Sequence, residues 1–204
     1  VARTINELQG FMELATVIRA RRSTAPITDQ APSDAELAGY LQLAAHSPDH
    51  AGLQAWRLVT LRGDARLRLG EALVAGYGDV PGTPAAAKTA GKALRAPLMI
   101  SIVACPVEHR KVPRWEQIAA IGALVATLQL VLYEAGYTAM WRTGPGVELA
   151  PVRELLGLAE HEQLCGWLYV GGTVPDPDPS PEPDVSGKLT ALADSAVRPD
   201  EPVR

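Results

Sequence analysis

Apolar residues recur at helical spacing in residues 11–22, where Phe11, Leu14, Ala15, Val17 and Ile18 share one stripe. The box Ser33-x-x-Glu36 opens a second helix with Leu37, Leu41 and Ala44 on its apolar face, and Pro48 is expected to stop it. A β-like run follows at 56–61, closed by a turn at Gly63-Asp64, and a third helix is predicted over about 65–75. The stretch 76–92 is rich in Gly, Ala and Pro and reads as a mobile connection. Residues 97–104 are short, continuous and apolar, which suits a strand buried on both faces. Residues 116–135 are apolar almost all round, so that helix belongs in a core or at a subunit interface. Beyond it come a strand at 137–141, a turn at Gly144-Pro145-Gly146, a short helix over 151–156 and a last strong strand at 164–170.

Strands separated by helices suggest a layered α/β domain. Neither G-x-G-x-x-G after a strand nor G-x-x-x-x-G-K-[ST] is present, so a nucleotide-like cofactor would have to be gripped another way. From Pro175 the composition changes abruptly. Residues 175–183 alternate Pro with Asp, Ser and Glu, and proline, lacking a donor and fixing φ, permits neither helix nor central strand there. The expected division is a folded domain over 1–174 and a Pro-rich tail over 175–204, either disordered or wrapping a partner subunit.

The 204 residues are 47% hydrophobic and 21% charged, ordinary for a globular chain. A net charge of −4 argues against a general nucleic-acid binder, which needs excess cations to replace counterions. Cys105 and Cys165 lie in apolar runs without C-x-x-C spacing and read as small core residues in a reducing compartment. The apolar run 118–133 is shorter than the ~20 residues a membrane span needs, and no secretory signal is expected from the first residues. A cytoplasmic protein with neither nucleic-acid nor membrane partners is the expectation.

Four segments could carry chemistry. Arg19, Arg21 and Arg22 crowd the end of the first helix and Ser23 follows; this is either helix-end chemistry or a phosphate clamp. His46, His50 and Gln54 mark a polar loop before Trp56. Pro48 between the histidines breaks the geometry of a helical metal pair, and the loop reads as a surface turn or as a set of hydrogen bonds for a polar ring. Trp141, Arg142, Thr143 and Gly144 end a predicted strand, where ligands of α/β sheets commonly sit and where glycine lets a flat ligand approach the backbone. Lys111 to Glu116 precedes the long helix as a rim loop or simply its start. With no nucleophile elbow and no H-E-x-x-H, a cofactor that does the chemistry itself becomes the better reading.

In order along 11–174, these segments resemble the nitroreductase family of FMN-dependent oxidoreductases, and in particular its small, short-chain bacterial NAD(P)H nitroreductases. The matching stretches are Arg21-Arg22-Ser23, Ser47-Pro48-Asp49-His50 with Gln54-Ala55-Trp56, Arg95-Ala96-Pro97-Leu98, Lys111 to Gln117, and Trp141-Arg142-Thr143-Gly144. The resemblance implies an α+β fold, α/β layered, with a mostly antiparallel central sheet flanked by helices, in an intertwined homodimer. It implies tightly bound, non-covalent FMN shared by both subunits, with NADH or NADPH as co-substrate. Arg21, Arg22 and Ser23 would hold the phosphate and ribityl end. His46 and His50, with Gln54 in the same loop, would reach in from the partner, and Trp141, Arg142, Thr143 and Gly144 would line the flavin. No side chain is cast as catalytic; the chemistry falls to flavin N5, passing electrons to a nitroaromatic, a quinone or a similar small acceptor. The same fold also suits reductive dehalogenation, flavin breakdown, or a flavin carrier or redox sensor without turnover. Three departures stand out: Ala55 for proline, Thr143 for serine, and His46 where the subgroup has arginine, which exchanges a fixed charge for a titratable one.

Overall fold

Ser33 starts the second helix as its spacing predicts. Its Oγ accepts from Glu36 N at 3.3 Å, and Glu36 Oε2 accepts from Ser33 N at 2.8 Å. In the computed structural model, which describes residues 14–24, 28–172 and 182–191, ten regular elements follow in chain order. They are α1 (Leu14–Ala20), α2 (Asp34–Ala44), β1 (Trp56–Leu61), α3 (Asp64–Tyr77), α4 (Pro84–Ala90), β2 (Leu98–Ala104), α5 (Arg114–Glu134), β3 (Tyr137–Arg142), α6 (Ala150–Leu155) and β4 (Gln163–Gly172). The expected first helical turn at Phe11, the boundary near 175 and most of the tail lie outside the described residues. Helix α2 ends at Ala44, short of Pro48, and single-turn bonds to Leu43 O and Ala44 O carry the chain through His46 and Ser47.

One expectation fails. The stretch read as a mobile connection contains α4 and a 3-10 turn, Gly91–Leu94. Thr83 caps α4, its Oγ1 accepting from Ala86 N at 3.2 Å, and Pro84 stands in the first turn where its missing donor costs nothing. Three consecutive alanines then favour helix. Against it, Gly70 in α3 allows close approach: a Cβ there would stand 3.0 Å from Ala90 O.

The sheet order is β1-β2-β4-β3, and every neighbouring pair is antiparallel. Two helices, α3 and α4, separate β1 from β2 and turn the chain twice, so the second strand returns alongside the first in the opposite sense. Strands β2 and β3 run the same way, one on each side of β4, joined by the crossover helix α5. Helices cover both faces. On one, Leu98, Ile100, Ile102, Leu168 and Val170 pack with α2 and with Ile121, Leu124, Val125, Leu128 and Leu132 of α5. On the other, Met99, Val103, Trp167 and Tyr169 pack with Leu69, Leu73 and Val152 of α3 and α6. Strand β2 is buried throughout, as its unbroken apolar sequence requires.

Helix α5 runs for 21 residues, long and apolar enough by length and composition alone to cross a membrane. Here it buries one stripe in the core. Trp115 on its first turn is 69% exposed, and Ala119 and Ala126 are exposed as well. Buried Gln129 turns its amide to the edge strand, donating from Nε2 to Ala139 O at 2.8 Å. That bond satisfies polar groups on both elements, and it ties α5 to the strand that carries part of the candidate site.

Candidate functional site

The end of α1 divides its arginines between two tasks. Arg22 Nη1 turns back to donate to Arg19 O and, at 2.9 Å, to Arg21 O, the helix-end chemistry that is one of the two expectations for this segment. Its Nε is buried with no hydrogen-bond partner among the described residues. Arg21 is less committed: Nη1 reaches the exposed Ser23 Oγ at a long 3.4 Å. Buried Thr138, near the start of β3, donates from Oγ1 to Arg22 O at 3.4 Å and so anchors this cluster to the edge of the sheet.

Between α2 and β1 the backbone is strained. Ala51 and Gln54 have φ of 65° and 46°, in the left-handed region that side chains other than glycine's rarely adopt. Asp49 holds them there, accepting from Gly52 N at its carbonyl (3.0 Å) and from Gln54 N at its carboxylate (2.7 Å). Ser47 Oγ donates to Thr127 Oγ1 at 2.7 Å and so fastens the loop to α5. The loop presents His46, His50 and Gln54 as exposed side chains. Among the described residues, one of these is gripped by a side chain: His50 Nδ1 lies 2.6 Å from Glu116 Oε2 in the first turn of α5.

At the far end of β3, Trp141 donates from Nε1 to Cys165 O at 3.1 Å, which lays the indole across the start of β4. Arg142 stands over the ring of Tyr169, 5.9 Å from its centre. Gly144 has φ 137°, a conformation open to glycine, and leads into the 3-10 turn Pro145–Glu148. Gly166, with φ 122°, makes the arrangement possible. A Cβ there would lie 2.5 Å from Arg142 O, 2.8 Å from Trp141 Nε1 and 3.0 Å from Thr143 Cγ2.

Within one chain these groups are set apart. From Thr138 to Arg142 the strand advances about 14 Å, so Arg21–Ser23 and the 141–144 turn sit at opposite ends of β3. Among the described residues, no hydrogen bond or ion pair links either group to His46, His50 or Gln54. Sequence reasoning missed four supporting residues. Glu116 and Gln117 appeared in a matching motif without a role; Gln117 is buried and holds the 105–113 loop by bonds with Val107 N, Val107 O and Val112 O. Thr138 and Gly166 carried no signal.

The strongest local electrostatics lie at the neighbouring ends of β1, β2 and β4. Arg57 grips Glu162 through Nε and Nη2, both at 2.7 Å, while Ala159 N and Cys105 Sγ add donors at 3.0 and 3.1 Å. The Arg57 guanidinium holds the Glu162 carboxyl down to about 2. Burial, reinforced by Glu162, pushes the Cys105 thiol up to about 11, and burial also raises Cys165. Neither thiol is an activated nucleophile.

Comparison with known proteins covers all three groups. The nitroreductase family model matches residues 18–172. YdjA of Escherichia coli (strain K12), which carries an NAD(P)H nitroreductase name, is 32% identical over 180 residues, spanning 81% of this chain and 96% of that relative. A nitroreductase-like family protein from Bacillus cereus shares the fold with a TM-score of 0.79 at 23% identity, over 91% of this chain and 98% of that one. So does the FMN and NADPH-dependent nitroreductase NfnB from Sphigopyxis sp. strain HMH, with a TM-score of 0.69 at 18% identity over 89% and 100% of the two chains. With most of its length matched by the family model and a relative at this identity, the chain belongs to the nitroreductase family.

Proposed function

We propose that this protein is an FMN-dependent NAD(P)H oxidoreductase that passes electrons from NADH or NADPH to nitroaromatic, quinone or similar electron-poor acceptors, acting as an intertwined homodimer. The observation that carries the reading is the α1 terminus, where guanidinium and hydroxyl donors cluster with capacity unspent: Arg22 Nε is buried without a partner among the described residues and Arg21 makes only a 3.4 Å contact. These donors fit a phosphate monoester. The name of NfnB, an FMN and NADPH-dependent nitroreductase on the same fold, supports the same cofactor pair.

FMN, when bound, would supply the redox chemistry, taking a hydride at N5 from the nicotinamide and delivering electrons to the acceptor. The chain's contribution is placement. Arg21, Arg22 and Ser23 would hold the phosphate end. Trp141, Arg142, Thr143 and the Gly144 backbone, one strand length away, would border the ring, and the Arg142 charge would favour an electron-rich flavin. His46, His50 and Gln54, exposed and bonded to neither of these groups among the described residues, would complete the partner subunit's site.

Arg21→Ala is the direct test. Loss of a charge-assisted phosphate bond should weaken FMN binding roughly 10- to 100-fold, measured by fluorescence titration of flavin-free protein, while the dimer persists in analytical ultracentrifugation. Undiminished FMN affinity would assign the clamp to the wrong residues.

A further inference from the structure

Glu116 belongs to a motif with no assigned role, yet its carboxylate makes a 2.6 Å contact across 66 positions of sequence to a residue of the candidate site. A carboxylate in the first turn of α5 is favoured by the positive end of the helix dipole. It offers no proton, so His50 Nδ1 must carry the hydrogen, whether the ring is neutral or charged. Nε2 is then the nitrogen left for anything beyond the chain. Neighbouring geometry is built to deliver this ring. Ser47 bonds to Thr127 on α5 and fastens the loop to the helix before His50, while Asp49 bonds to Gln54 N and braces the loop within itself around His50. Strain retained in a surface loop, with its bonds spent on orienting one exposed side chain, points to function rather than stability. Among the described residues, the Glu116 carboxylate bonds to no group other than His50.

We propose that Glu116 is a positioning residue: it fixes the His50 ring with its hydrogen on Nδ1 and presents Nε2 outward to the FMN held by the partner subunit. This rests on the functional reading above, in which His50 crosses to the other chain's site. Nε2 accepts from a flavin N–H when the ring is neutral and donates to a flavin carbonyl when it is charged.

The test uses the full-length protein, with and without FMN, and reads two quantities. Ring 15N NMR of His50 reports the tautomer, and titration with FMN reports affinity. Wild type should show Nδ1–H. Glu116→Ala should move the ring towards the Nε2–H form and weaken FMN binding about fivefold, the size expected of one partly exposed hydrogen bond. Glu116→Gln keeps an acceptor oxygen and should retain the Nδ1–H form and most of the affinity. In a His50→Ala background, Glu116→Ala should change FMN affinity no further, because it acts through the ring. An unaltered tautomer in Glu116→Ala, or an equal loss of affinity without His50, overturns the proposal while an FMN-binding wild type leaves the functional reading standing. A wild-type chain that binds no FMN overturns both.

Discussion

Glu162 accepts from two nitrogens of Arg57, from Ala159 N and from the Cys105 thiol, and each of these donors favours its charged form. Its carboxyl is held near 2, below the 4.5 of an unperturbed glutamate, so the contribution to stability is complete above about pH 4.5 and fades as the pH falls towards 2. Glu162→Gln should therefore flatten the acid limb of the stability profile, and Glu162→Ala should cost about 2–3 kcal/mol at neutral pH, read from urea denaturation midpoints. An acid limb unchanged in Glu162→Gln would show that the carboxyl is not ion-paired. None of this was visible in the sequence, because Arg57 and Glu162 stand 105 positions apart and neither sits in a motif. Arg21, Arg22 and Ser23 stood out in the sequence as a cluster because they are consecutive, whereas the contact of His50 with Glu116, 66 positions on, did not. Even within the cluster the sequence left open what the fold divides: Arg22 turns back to cap the helix and Arg21 does not.

Elements marked by long apolar runs were readable, as was α2 from its Ser33-x-x-Glu36 box, while α4 was not. All four strands and the long helix fall within a few residues of their expected places, since β2 and α5 are apolar enough to leave no alternative. Helix α4 was lost among glycines and prolines that flank it, although Thr83-Pro84 carried the start signal. Strand order and sense depend on contacts remote in sequence, and so does the demand for glycine at 166. That demand is testable. Gly166→Ala forces a Cβ against Arg142 O at a positive φ, so it should destabilise the protein by about 2–3 kcal/mol and loosen the Trp141 to Cys165 bond. Thermal unfolding and the environment of the Trp141 indole in NMR should move together; a variant with wild-type melting would mean that β3 and β4 yield without cost.

Over the whole molecule, two features remain unmatched by a single chain. Helix α5 keeps apolar residues, Trp115 among them, on its outer side, and the exposed His46, His50 and Gln54 of the 46–54 loop bond, among the described residues, to neither the arginine cluster nor the 141–144 turn. A homodimer in the proposed arrangement accounts for both, since the partner would cover the helix and receive the loop. The central claim, however, is redox chemistry carried by a bound flavin. It is tested most directly by mixing FMN-loaded protein anaerobically with NADPH or NADH and following the flavin absorbance. The account predicts that the yellow colour bleaches far faster than free FMN does under the same conditions, and returns when a nitroaromatic or quinone is added. Bleaching no faster than that of free FMN with either nicotinamide would contradict it.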